Sequence, residues 1–178
     1  GDGTFSNITD QDVIIDQAGM GSAIGDFDND GDMDWFVTSI YNLDINGELF
    51  GNRLYRNEGE GVFTDVTDDS ATADGSWGWG ACAADFDNDT RIDLAHVNGW
   101  RERPDKDYVT DRARLFRNIG ESSIQFDERS TESGFDDQGQ GRGIACFDAE
   151  RDGDIDIVIS NINNDGVVFY RNETDTSN

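Results

Sequence analysis

Three stretches of this sequence set carboxylates at alternate positions: Asp26-Phe-Asp-Asn-Asp-Gly-Asp-Met-Asp34, Asp85-Phe-Asp-Asn-Asp-Thr-Arg-Ile-Asp93 and Asp148-Ala-Glu-Arg-Asp-Gly-Asp-Ile-Asp156. Such spacing suits capture of a hard divalent cation. Calcium takes roughly 6–8 oxygens at about 2.3–2.6 Å, and in a tightly curved loop the side chains at positions 1, 3 and 5 converge on one point. Those residues are Asp26, Asp28 and Asp30, then Asp85, Asp87 and Asp89, then Asp148, Glu150 and Asp152. A glycine at position 6 permits the turn. The position 7 backbone carbonyl (Asp32, Arg91 or Asp154) adds a ligand, and the position 9 carboxylate (Asp34, Asp93 or Asp156) closes the site. Three Ca2+ sites are therefore expected. Magnesium fits less well, because it keeps water and octahedral geometry. A solvated acidic turn would explain one such loop, but three in register argue against it.

The sites are not expected to be equal. Thr90 replaces the turn glycine, and a β-branched residue tolerates a left-handed backbone poorly. Arg91 brings a positive charge beside the ion, so the site at 85–93 is predicted to be the weakest or most distorted. Glu150 offers a longer arm where Asp28 and Asp87 stand, and the side chains of Asp32 and Asp154 are expected to face solvent. An EF-hand is excluded: its twelfth-position Glu is replaced by Val37, His96 and Ile159, and strand-like runs flank the loops.

The rest of the chain agrees with a folded cation-holding protein. Of 178 residues, 39 are acidic and 13 basic, for a net charge of −26, which excludes nonspecific binding to nucleic acid or anionic lipid. The three loops hold 14 of those acids. Eleven Phe, four Trp and four Tyr argue against disorder. No apolar run approaches the ~20 residues of a membrane span, and the opening Gly1-Asp-Gly-Thr-Phe5 lacks the features of a signal peptide. Cys82 and Cys146 permit one disulfide, though nothing in the sequence fixes their separation.

The elements that must position the loops repeat with them. Leu54-Tyr-Arg-Asn57, Leu115-Phe-Arg-Asn118 and Phe169-Tyr-Arg-Asn172 follow the three loops in turn. A glycine turn leading to Phe recurs as Gly61-Val-Phe63 and more loosely at 120–126, and it opens the chain. Short β-rich runs such as Trp35-Phe-Val-Thr38 follow each acidic loop, and Gly/Ala-rich stretches suited to close-packed inner strands precede it. Four short antiparallel strands per repeat make the class all-β. The repeats are set at 1–57, 58–118 and 119–178, and Asn164-Asp-Gly166 signals a tight turn in the third.

Together, the loops, the Leu-Tyr-Arg-Asn motif and the Gly-x-Gly-x-Phe, Asp-Val-Thr run resemble the FG-GAP/VCBS repeat family, in its bacterial form. The resemblance implies four-stranded β-propeller-type blades, with calcium in the hairpin between strands one and two. It implies side-chain ligation by Asp26, Asp28, Asp30 and Asp34 and by the aligned residues of the later loops. Propellers close with about 4–8 blades, so three are too few to close one alone. The matched phase of the two ends favours head-to-tail self-association into a multimer or filament.

The functional reading is a non-catalytic, extracellular or cell-surface, calcium-stabilised structural module. The alternative is a ligand-binding or adhesion β-propeller fragment of a larger surface protein, with a protein or carbohydrate ligand at loops 41–52 and 99–112. The second of these holds Trp100, Arg101, Arg103, Lys106 and Tyr108. A polysaccharide-acting enzyme is the least supported: His96 is the one histidine and sits in a predicted strand, and neither cysteine has an activating partner. Gly139-Gln-Gly-Arg-Gly143 lacks the Lys and helix of a phosphate loop and reads as an inner strand.

Overall fold

The computed structural model describes residues 3–45, 48–100, 108–121, 123–162 and 166–174. The chain forms β1 (Gly21–Gly25), β2 (Asp34–Thr38), β3 (Leu43–Ile45), β4 (Glu48–Phe50), β5 (Arg53–Asn57) and β6 (Phe63–Asp65). A one-turn helix, α1 (Thr67–Ser70), precedes β7 (Gly78–Ala84), β8 (Asp93–Asn98), β9 (Arg114–Asn118) and β10 (Phe126–Glu128). A second one, α2 (Ser130–Ser133), precedes β11 (Gln140–Phe147), β12 (Asp156–Ile162) and β13 (Val167–Tyr170).

Three antiparallel sheets result, ordered β1-β2-β5-β6, β7-β8-β9-β10 and β11-β12-β13, with β3-β4 a separate hairpin. The class is all-β, as expected, with two strand-to-strand helical turns that no periodicity announced. The third sheet has three strands among the described residues, not four. Sheet boundaries also fall out of phase with the sequence segments: Phe63–Asp65 pairs with Arg53–Asn57, across the 57/58 division. Each acidic loop joins the first two strands of its sheet, and the Arg-Asn motif ends the third strand in the first two sheets and directly follows it in the last.

The first strand of each sheet is its inner strand, and β7 lies between β1 and β11. That packing explains the Gly/Ala composition. A Cβ at Gly21 would lie 2.1 Å from the Trp79 carbonyl, and one at Gly141 would lie 2.4 Å from the Val97 side chain. Gly141 belongs to β11, so the 139–143 run is inner strand from Gln140 onward. Cys82 and Cys146, on adjacent inner strands, are disulfide-bonded with Cα atoms 6.3 Å apart, inside the range that geometry allows. Two clusters fill the spaces between sheets, one around Phe27, Leu94 and Phe126, the other around Val97, Phe135 and Ile159.

His96 is wholly buried, with its ring 5.7 Å from Phe116 and 6.1 Å from Phe36, and its Nε2 3.3 Å from Asn52 Nδ2. Burial, then the Arg114 guanidinium, pushes its imidazole down to about 3. A value below that of the unfolded chain leaves stability complete above about pH 6.5 and loses it as pH falls toward 3. Urea unfolding of the calcium-loaded protein is expected to show a loss of about 2 kcal/mol between pH 7 and pH 5 from this group. A His96→Gln variant should lack that slope.

Candidate metal centres

The three loops fold alike down to single hydrogen bonds. At position 1, Asp26 accepts from the amides of Asp30 and Gly31, both at 3.0 Å. Asp85 does the same with Asp89 (3.1 Å) and Thr90 (2.8 Å), and Asp148 with Asp152 (3.2 Å) and Gly153 (3.1 Å). At position 5, Asp30, Asp89 and Asp152 each accept from the amide two residues on, at 2.8, 3.0 and 3.1 Å.

Position 9 ties the loop to the third strand. One oxygen of Asp34 accepts from Phe27 N (2.9 Å) and the other from Asn57 N (2.8 Å). Asp93 bridges Phe86 N (3.0 Å) and Asn118 N (2.8 Å), and Asp156 bridges Ala149 N (2.9 Å) and Asn172 N (2.8 Å). All three carboxyls are buried. The Arg-Asn asparagine therefore recurs for a physical reason that the sequence reading missed. Its side chain also reaches the neighbouring sheet: Asn118 Nδ2 donates to Phe27 O and Asn172 Nδ2 to Phe86 O, both at 2.8 Å. Asn172 opens an Asn-Glu-Thr sequon, and its side-chain amide is engaged in this way.

Left-handed backbone appears at two loop positions, not one. Position 6 holds Gly31 (φ 96°), Thr90 (φ 74°) and Gly153 (φ 100°), while position 4 holds Asn29 (φ 60°), Asn88 (φ 58°) and Arg151 (φ 66°). The second loop thus keeps the common path, with Thr90 in the strained conformation instead of the loop distorting around it. Asparagine tolerates that region, which explains Asn29 and Asn88.

Carboxylate oxygens of Asp26, Asp28 and Asp34 lie within 4.8 Å of one another, as do those of Asp85, Asp87 and Asp89. Asp28 Oδ1 and Asp87 Oδ1, at the same place in the two loops, are buried with no hydrogen-bond partner. An acceptor that is buried and unpaired is costly unless a cation meets it. Burial raises the Asp28 carboxyl, helped by Asp30 and Asp26; burial raises Asp87 too, helped by Asp89. Burial also pushes Asp34 up to about 6 and Asp93 up to about 7, against their amide hydrogen bonds. Clustered oxygens, orphaned acceptors and mutual repulsion are what a hard cation would relieve, so these residues fit calcium.

The third loop is arranged differently. No such trio of carboxylates occurs in it among the described residues. The longer arm of Glu150 instead reaches Asp156, whose proximity raises the Glu150 carboxyl. Asp154 is buried and its Oδ1 accepts from Asn88 Nδ2 at 2.6 Å, so its side chain joins two loops instead of facing solvent as expected. Asp32 is exposed.

Arginines separate the second loop from the first. Arg56 bonds Glu58, two residues on, at 2.9 and 2.6 Å, and Arg171 bonds Glu173 through Nε at 2.9 Å. Ile119 stands at that place after Arg117. Arg117 consequently turns to the loop, with Nε 2.5 Å from Asp87 and Nη2 3.1 Å from Asp89. Arg91 also pairs with Asp89, and its Nε donates to Asn118 O at 2.9 Å. The sequence exposed Arg91 but hid Arg117, whose role turns on the missing glutamate.

Two aromatic residues of the 99–112 loop pack against other rings. Trp100 stacks 5.3 Å from Trp77 and lies 5.4 Å from Trp79, and Tyr108 is edge-on to Trp77 at 5.0 Å. Arg142 covers Trp79 at 4.1 Å. Arg101, Arg103 and Lys106 lie outside the described residues. The 41–52 loop is the β3-β4 hairpin with its flanks. No helix among the described residues is long and apolar enough to cross a membrane.

No curated protein matches the chain. Residues 41–96 match the family model described as an FG-GAP-like repeat, a stretch running from the β3-β4 hairpin through the whole second acidic loop, and over that stretch the match supports the likeness to FG-GAP/VCBS repeats.

Proposed function

We propose that this chain is a non-catalytic, calcium-stabilised structural module of an extracellular or surface protein, and that copies associate head to tail. The observation that carries the calcium reading is the pair of equivalent orphaned acceptors, Asp28 Oδ1 and Asp87 Oδ1, each inside a trio of converging carboxylates. The Cys82–Cys146 disulfide supports an oxidising compartment. The wholly buried His96 leaves the one histidine without access to a substrate, in keeping with a non-catalytic role. A ligand-binding role at 99–112 has less support, because Trp100 and Tyr108 are packed against other rings.

The first loop binds calcium most tightly. In the second, Arg117 and Arg91 already neutralise Asp87 and Asp89, so an ion must displace or repel them. In the third, Glu150 must release Asp156. Calorimetric titration of Arg117→Gln is expected to show one site tightened about tenfold, which is about 1.4 kcal/mol, over the wild type. Superimposable isotherms would contradict this ranking. Light scattering tests the assembly: a mass above the monomer in millimolar calcium, falling in excess chelator, is expected. A monomer under both conditions would contradict it.

A further inference from the structure

The first two sheets end in a fourth strand, β6 and β10, while no strand pairs with the outer edge of β13 among the described residues. What the fourth strand does is visible at β10. Phe126 stands in register with Asn118, is buried, and meets Phe27 of the first acidic loop edge-on at 5.7 Å. It shares one cluster with Leu54, Leu94 and Phe116 and also with Phe36 and Ile124, and Ile92 packs against that cluster.

The repeat offset carries Phe27, Leu54, Ile92, Leu94 and Phe116 to Phe86, Leu115, Ile155, Ile157 and Tyr170. All five of these line one cleft of about 410 Å³ between the second and third sheets, with Asn172 where Asn118 stands beside Phe126. The cleft is the Phe126 slot without its phenylalanine.

A segment that fits the slot lies at the other end of the chain. Gly1-Asp-Gly-Thr-Phe5-Ser-Asn-Ile8-Thr matches Gly59-Glu-Gly-Val-Phe63-Thr-Asp-Val66-Thr at both glycines, the phenylalanine, the β-branched aliphatic and the threonine. Gly3 has φ 78° and Gly61 φ 80°, the same left-handed step just before the aromatic residue. Phe63 opens β6, whereas Phe5 is 99 % and Ile8 75 % exposed. Arg117, Arg129 and Arg171 line the cleft beside Asp87, Asp93 and Glu173, so its rim is balanced in charge, and the case for the segment rests on its sequence match and its exposed Phe5 and Ile8.

We propose that residues 3–9 of a second copy of this chain add antiparallel to β13 as its fourth strand, with Phe5 seated in the cleft opposite Asn172. Strand addition of this kind draws affinity from main-chain hydrogen bonds and specificity from the side-chain pocket. The proposal rests on the head-to-tail reading and supplies its contact.

The test uses the full chain in millimolar calcium, with Phe5→Asp to silence the donor, and a fluorescent peptide of residues 1–12. Anisotropy is expected to show saturable binding of the peptide, at least about tenfold weaker for its Phe5→Ala version. Sedimentation of the wild type is expected to show concentration-dependent association that Phe5→Asp abolishes. Phe5 is exposed, so that variant keeps its fold, which circular dichroism checks. Absence of peptide binding, or equal binding of the Phe5→Ala peptide, overturns the docking site. Equal association of Phe5→Asp and wild type overturns it too, while leaving head-to-tail assembly standing. Peptide binding by a chain that stays monomeric at every concentration overturns the second copy as donor, and with it the assembly reading.

Discussion

Excess chelator is expected to lower the thermal unfolding midpoint of this protein by about 10–20 °C. The first two loops each hold three converging carboxylates, and their repulsion falls on the folded state alone, because the unfolded chain lets them separate. An ion bound at about 100 times its dissociation constant stabilises the fold by about 2.7 kcal/mol per site. Two such sites supply about 5 kcal/mol, and 1 kcal/mol moves the midpoint of a domain this size by about 2–4 °C. Asp28→Ala and Asp87→Ala should each remove part of the shift, the first more than the second, because Arg117 already pairs with Asp87. Restoring calcium should return the midpoint, and magnesium at the same concentration should not. An unchanged midpoint in chelator would remove calcium from the account.

Breaking the Cys82–Cys146 bond is expected to cost about 4 kcal/mol, or about 8–16 °C in midpoint. The two cysteines are 64 residues apart in sequence, so the bond closes a long loop and removes much chain entropy from the unfolded state. In the folded state it links the inner strands β7 and β11, where glycines already bring the backbones close. A Cys82→Ala, Cys146→Ala double variant should melt at the midpoint of the reduced wild type and should not respond to reductant. A change below about 1 kcal/mol on reduction would mean that the neighbouring sheets are held by their side-chain clusters instead.

Much of this architecture was legible because each repeat obeys the same local rules. Alternate carboxylates with a position 6 glycine gave the loops, and Trp35-Phe-Val-Thr38 and its counterparts gave the strands that follow them. What stayed hidden depends on partners far away in sequence. Asp154 looks like a solvent-facing residue until Asn88, 66 residues earlier, is placed beside it. Arg117 looks like its repeats until Ile119 removes the local glutamate and the guanidinium turns to Asp87. Thr90 pointed to the weakest or most distorted site, and of these the backbone distortion does not occur: the amide bonds to Asp85 hold it on the common path at φ 74°. The two helical turns are too short to carry a period, so tertiary packing alone announces them. The 57/58 and 118/119 divisions follow the recurring motifs, which end at Asn57 and Asn118, one strand before each of the first two sheets ends.

Calcium binding itself is tested most directly by counting ions. The chelator-stripped chain, dialysed to equilibrium against calcium at graded concentrations up to a millimolar, should retain at least two ions per chain, measured by elemental analysis beside protein concentration. The Asp28→Ala, Asp87→Ala double variant should retain fewer. Retention of less than one ion per chain at a millimolar, or equal retention by the double variant, would contradict the assignment of these loops as metal centres.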